Sequence, residues 1–453
     1  MGKLLTSILF VAITFRVDAQ LPKITRYELD CRFNFEEEKI FVTAAINITP
    51  GDTLNLLLYR LLTVRSIRDG EGRNIKFSQH VASFTDWEQL QVNAVTVPIR
   101  NIDRLQIEYD GYLAGYTETG MLYTKDRIDP KFTILRPDCF AYPVPGTTNW
   151  QENVESPSDW FDYKVSVTVP DTLSVVNGGT LISKSNNGNE ATYIYENKKP
   201  AWRIDIAIGQ YKTYDGDDFI IQYFPEDSAK IKTTAEFVKN AFNLFESWFG
   251  KRSTGQYTII EIPDQWGSQT DVSSILQEAS AIKDERHMYE LYHEISHTWN
   301  PKSLDNHPSR LESEGLAVFL QYLLMEELHH SPGALDAGAE KVFQRLKKQF
   351  AKDPKIATIP ISEYGSNQLT DLSYSKGMLF FYVLYKKVGQ QKFIAAIADY
   401  ISRHPNGATL KEFSDELDSG LKGVRSITAD WLWTAKSSEK IRNSSHAIEL
   451  PEK

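Results

Sequence analysis

The hydrophobic period of this chain changes near residues 215–228, and that change bounds what it can fold into. Before it, short segments such as KIFVTAAINI, QLQVNAVTVPI, DYKVSVTVP and ATYIYEN alternate apolar and polar residues, divided by Gly, Pro, Asn and Asp. Alternation with period two buries one face of a strand and wets the other, so this half predicts an antiparallel β-sandwich or saddle. After about Ser228 the apolar residues recur at helical spacing, as in AKIKTTAEFVKNAFNLFESWFG, GALDAGAEKVFQRLKKQF and LKEFSDELDSGL. The reading is an α+β chain of two domains, residues 20–215 and 216–453, with a mostly helical second domain and a crevice between them as the expected site.

One cluster in the helical half dictates a chemistry. His293-Glu294-Ile295-Ser296-His297 sets two histidines four residues apart, and on a helix residues i and i+4 share a face. Two imidazole nitrogens are then available to one Zn²⁺, while Glu294, a quarter turn away, reaches an attacking water as general base without being a ligand. Beyond a loop rich in Pro, Asn and Ser, Leu316, Phe319, Leu320 and Leu323 mark a second helix, with Glu312 and Glu314 in its first turn. Carboxylates are common there as partners of the helix dipole. A helix folded back on the first would nevertheless let Glu314 complete a His₂Glu set with one open position, and an open position means catalysis. Glu312 is the rival third ligand.

HEISHTWN followed by SEGLAVFLQ resembles the gluzincin aminopeptidases, the family of alanyl aminopeptidase and leukotriene hydrolase. The resemblance implies a thermolysin-like catalytic domain, one Zn²⁺ per chain on His293, His297 and Glu314, and peptide or protein N-termini as substrate. The linker to Glu314 is two residues shorter than the family's. LSYSKGMLFFYVLYKK resembles the family's Y-x-K-G helix start, which makes Tyr374 the phenol that steadies the oxyanion. Members also carry a G-x-M-E-N loop whose glutamate binds the substrate's free amine. The stretch at that place is Trp266-Gly267-Ser268-Gln269-Thr270, so Gly267, Ser268 and Gln269 become the substrate-loop candidates, with an amide where a carboxylate is expected. An amide accepts a hydrogen bond from an ammonium but brings no charge to pair with it. Asp271 or Glu278 could substitute. The expected activity is removal of N-terminal residues; the alternative is a zinc endopeptidase or other hydrolase of the same fold without strict recognition of a free amine. A non-enzymatic peptide-binding relative is disfavoured by the intact set of ligands, base and tyrosine. The resemblance ends near TADWLWTAKSSEKI, before the further C-terminal region that many members carry, which implies a two-domain form with an open cleft.

Composition supports an exported enzyme. Lys3 precedes an apolar stretch from Leu4 to Phe15, and Val17-Asp18-Ala19 offers small residues for cleavage, so residues 1–19 read as a signal peptide and the protein as secreted or periplasmic. No other apolar run reaches membrane length. A formal charge of −10 leaves no basic footprint for nucleic acid. The two cysteines, Cys31 and Cys139, fit either one disulfide or two buried thiols. Asn47 and Asn443 match the glycosylation pattern, and oligomeric state has no signature in the sequence.

Overall fold

A computed structural model describes residues 22–149, 153, 160–252, 255–367 and 369–452. The expected signal peptide lies outside the described residues. In the first half the alternating segments become strands of three sheets. The largest has seven strands in the order Thr180–Asn187, Glu190–Ala201, Phe161–Pro170, Ile24–Asn34, Lys39–Ile48, Arg104–Tyr112 and Leu62–Asp69. All its pairings are antiparallel except that of Ile24–Asn34 with Phe161–Pro170, where the chain returns after more than a hundred residues to lie parallel to its first strand. In Lys39–Ile48 each second residue is buried, the pattern the sequence predicts for a sheet with one face on a core. A four-stranded sheet, Ser78–Phe84, Trp87–Pro98, Thr53–Tyr59 and Val144–Pro145, supplies Leu54, Leu56, Val95 and Val97 to the same core. Cys31 and Cys139 are both buried there as free thiols.

The second half is built on a five-stranded sheet ordered Lys212–Asp215, Phe219–Tyr223, Tyr257–Ile262, Ser274–Glu278 and Gln269–Thr270. Its three inner strands run parallel. Tyr257–Ile262 is buried throughout, as a central parallel strand covered on both faces must be. The helix Ile231–Phe249 makes one crossover, and Phe242 and Phe245 seat it against Trp299 and, in one core, Leu291 and Ile295 of the helix Met288–Ser296. The two-residue strand Gln269–Thr270 forms the open edge, antiparallel to its neighbour. Around the sheet stand the helices Met288–Ser296, Leu316–Leu328, Ala334–Lys352, Leu372–Val388, Gln390–Arg403 and Leu410–Gly420. No helix among the described residues is long and apolar enough to cross a membrane.

The halves are joined by a mixed apolar and ionic seam. Phe132, Ile134, Val176 and Ala207 from the first pack with Ile260, Ile262, Trp266 and Leu276 from the second. Beside them, Arg136 donates to Asp126 and to the carbonyl of Trp266, at 2.9 and 2.8 Å, with the side chains of Arg136 and Asp126 wholly buried. Arg203 binds Asp205 and Asp138 and also meets the side-chain oxygen of Gln269. The loop entering the edge strand is thus gripped by the β domain.

Candidate active site

The helix Met288–Ser296 carries the histidine pair on its exposed flank, with Leu291, Tyr292 and Ile295 turned to the core. His297 is the first residue past its end. Across from it the chain enters the second helix through Arg310, at φ 59°, and a π-turn at Leu311–Gly315. A π-turn inserts one residue into helical spacing and re-aims the side chains on it, and here Glu314 comes to face the imidazoles. The Nε2 atoms of His293 and His297 are 3.2 Å apart, and Oε2 of Glu314 is 3.2 and 3.4 Å from them. Two ligands each about 2.0–2.1 Å from a tetrahedral zinc ion sit about 3.3 Å from one another, so the separations fit. Side-chain amides fix the rings from behind. Gln321 Oε1 lies 3.0 Å from Nδ1 of His293, which places the proton on Nδ1 and turns the Nε2 lone pair to the centre. The side-chain amide of Asn300 meets Nδ1 of His297, and its Oδ1 is otherwise buried without a partner, available after a half turn of the amide to accept that ring's proton. Three lone pairs converging this closely repel unless a cation sits among them, and the set fits Zn²⁺. Among the described residues this is the one group of three His, Cys, Asp or Glu side chains close enough to share a metal ion.

Burial opposes ionisation of Glu314, but His297, His293 and Arg310 outweigh it and hold its carboxyl well below the usual range. Glu312, the rival, is not among the converging groups: it is buried, with Oε1 unpartnered, and burial pushes its carboxyl up to about 7. Glu294 lies beside His293 with its Oε2 accepting from Thr270 Oγ1 at 2.5 Å, and the same hydroxyl lies 3.1 Å from the Glu294 carbonyl. The open edge strand therefore aims the expected base.

Tyr374 arrives from the helix Leu372–Val388, its ring parallel to that of His293 within 8° at a centroid distance of 6.2 Å. Two glycines permit this approach. A Cβ on Gly315 would stand 2.8 Å from the Gly377 Cα, and one on Gly377 would stand 2.9 Å from the Gly315 Cα. The Glu-Gly and Lys-Gly pairs of the two motifs are thus one backbone contact, and it sets Tyr374 beside Glu314. Burial, and then the carboxylate of Glu314, push the phenol well above its ordinary value, so it is present as a neutral donor. Arg310 bridges the two, donating from Nη2 to Glu314 Oε1 at 2.6 Å and to Tyr374 Oη at 3.1 Å.

A cavity of about 300 Å³ opens beside His293 and Glu294 and is lined also by Ser268, Glu278, Glu290 and Gln321. Of the loop residues, Gly267 is at φ 76°, with its N–H given to Glu278 Oε1 at 2.7 Å, and Ser268 Oγ receives the N–H of Glu278 at 3.0 Å. Gln269 donates to Asp138 at 2.7 Å and receives Arg203, so its amide is spent on the domain seam. Asp271 is buried and faces the backbone of Trp202. Sequence reasoning did not find Thr270, Arg310, Asn300 or Gln321. Only Gln321 left a local signal, standing two helical turns after Glu314 on the same face.

Residues 265–431 match the family profile described as the peptidase family M1 domain. A leucyl aminopeptidase of Saccharolobus solfataricus is 19% identical over an alignment covering 90% of this chain and 53% of that protein, so the chain spans about half the length of that relative. Among solved structures, an M1 zinc metallopeptidase from Deinococcus radiodurans superposes with a TM-score of 0.65 at 16% identity, covering 91% of this chain and 94% of that one. Native yeast LTA4 hydrolase superposes with a TM-score of 0.67 at 17% identity, covering 91% of this chain and 68% of that one.

Proposed function

This chain belongs to the gluzincin aminopeptidase family through the peptidase family M1 domain at residues 265–431, and we propose that it is a secreted zinc peptidase that removes N-terminal residues from peptides. The observation that carries the reading is the convergence of His293, His297 and Glu314 on one point, flanked by Glu294 and Tyr374. Bound there, Zn²⁺ supplies Lewis acidity that activates water and polarises the scissile carbonyl. Glu294 accepts the proton of the attacking water and returns it to the leaving nitrogen as the C–N bond breaks. Thr270 keeps that carboxylate aimed. Tyr374 donates a hydrogen bond from its hydroxyl to the carbonyl oxygen as that oxygen gains charge. The substrate extends along the edge strand Gln269–Thr270, whose outer side is open to a further strand.

Its free amine meets Glu278 and Glu290, the two carboxylates that line the adjoining cavity beside Glu294. Neither forms an ion pair with a lysine or arginine among the described residues; Glu290 has His287 at 3.3 Å. A second reading, an endopeptidase or other hydrolase without strict need of a free amine, is favoured by the engagement of Gln269 in the seam and by the lack of a carboxylate on the edge strand itself. Comparing one peptide with its N-acetylated twin separates the two. The aminopeptidase reading expects kcat/KM to fall at least about a hundredfold on acetylation, the worth of a lost charge-assisted contact; equal rates would establish the second reading. Signal-sequence cleavage would appear as a mature N-terminus near Gln20, read by sequencing the protein recovered from culture medium.

A further inference from the structure

The guanidinium of Arg310 has no part in the chemistry assigned above, yet it touches both the third ligand and the catalytic phenol. One nitrogen, Nη2, donates to Glu314 Oε1 at 2.6 Å and to Tyr374 Oη at 3.1 Å. The guanidinium carbon stands 5.4 Å from the centre of the Tyr374 ring. The side chain is held at its root, because Arg310 takes the left-handed conformation at φ 59° just before the π-turn, a backbone state that a non-glycine residue occupies at a cost.

Arginine has donors only and is always charged, so toward Tyr374 Oη it can only donate, filling a lone pair of the phenol. The same nitrogen donates to Glu314 Oε1, so the phenol oxygen and the third ligand are tied through one charged group. With that lone pair filled, the phenol oxygen is held at a fixed place beside the ligand set.

We propose that Arg310 is a positioning residue that holds the Tyr374 hydroxyl in place for the substrate oxygen by donating to Glu314 Oε1 and to a lone pair of the phenol at once. This rests on the peptidase reading of the site.

The test is a double-mutant cycle on one unblocked peptide, using wild type, Arg310→Met, Tyr374→Phe and the double variant, with zinc content and the Kd of a phosphinic transition-state analogue measured for each. Expected is a fall of about ten- to a hundredfold in kcat for Arg310→Met with KM moved little, zinc retained at one per chain, and weaker analogue binding by a similar factor. In the Tyr374→Phe background the same change should cost less than about twofold, because its effect runs through the missing hydroxyl. Arg310→Lys, which keeps a charged donor group, should recover part of kcat. Equal losses in both backgrounds would overturn the proposal, and so would loss of zinc from Arg310→Met, since the arginine would then serve the ligand alone. Wild type that binds zinc and cleaves no peptide would overturn the function reading instead, and analogue binding by the four proteins would still decide whether Arg310 and Tyr374 act as one unit.

Discussion

Glu294 and Thr270 form the smallest unit on which the proposed chemistry depends. Replacing Glu294 by Gln keeps size and hydrogen bonding but removes the proton acceptor, so turnover should fall by a factor on the order of 10² to 10⁴ while zinc stays bound, measured as kcat beside metal content. Wild-type kcat in that variant would reassign the base. Thr270→Val removes the hydroxyl that holds Glu294 Oε2 at 2.5 Å, and we expect a loss of roughly tenfold in kcat with unchanged zinc, the worth of one hydrogen bond to a charged group. At this scale the sequence was legible only where contacts are local. His293, Glu294 and His297 follow from helical spacing, whereas Glu314 shares its first turn with Glu312 and is singled out by the motif resemblance. Nothing within Ser309-Arg310-Leu311 announces that Arg310 meets a tyrosine 64 positions away, and Thr270 reaches Glu294 across 24 positions by way of a strand too short to have a period.

At the scale of elements, the site is made by the close passage of Leu311–Gly315 against the helix Leu372–Val388. Gly315→Ala or Gly377→Ala places a methyl under 3 Å from the facing backbone. Overpacking of this kind costs about 1–3 kcal/mol, and the helices can relieve it only by separating Tyr374 from Glu314. Each variant should therefore lose kcat in addition to thermal stability, read from melting curves and steady-state rates on the same samples; lost stability with intact kcat would dissociate the glycines from the site. The same helix buries Lys376, whose amine meets the Ile359 carbonyl at 3.4 Å, Ser438 Oγ at 3.2 Å and the Tyr364 ring at 5.2 Å from its centre, and burial pushes it down to about 7. Between about 7 and the ordinary value of 10.5 the unfolded chain holds a proton that the folded chain lacks, so stability rises with pH across that window. Lys376→Met should stabilise near pH 7 and do little near pH 10.5, by urea unfolding at the two values, and an equal effect at both would refute the depressed amine. Elements were the level at which the sequence read best, since alternation and helical period survive folding. The π-turn was not legible, and neither was the choice between Glu312 and Glu314, because one inserted residue in a helical turn decides which carboxylate faces the histidines.

The whole molecule matters to the site through the seam, where the β domain reaches into the catalytic half and grips the loop before the edge strand. Two arginines do this, Arg136 through the Trp266 carbonyl and Arg203 through Gln269, each balanced by buried aspartates. Sequence patterning could assign the two halves but not this junction, since its partners are up to 131 residues apart and each reads locally as an ordinary polar side chain. Truncating one member of such a network leaves charges buried without a partner, which costs about 3–5 kcal/mol, more than the intact pairs contribute relative to apolar residues. Arg203→Met strands Asp205, whose side chain is 5% exposed, and leaves Gln269 held to the β domain by its bond to Asp138 alone. The edge strand carrying Thr270 is then anchored more weakly, and the aim of Glu294 loosens with it. The expected result is a lower urea midpoint together with a drop in kcat/KM at full zinc content. Adding Gln269→Leu to that variant should lower kcat/KM further, because it cuts the remaining tie to Asp138. If instead Arg203→Met lowers stability and leaves kcat/KM at the wild-type value, the β domain is a scaffold for the fold alone, and the aim of the catalytic base is set within the helical half.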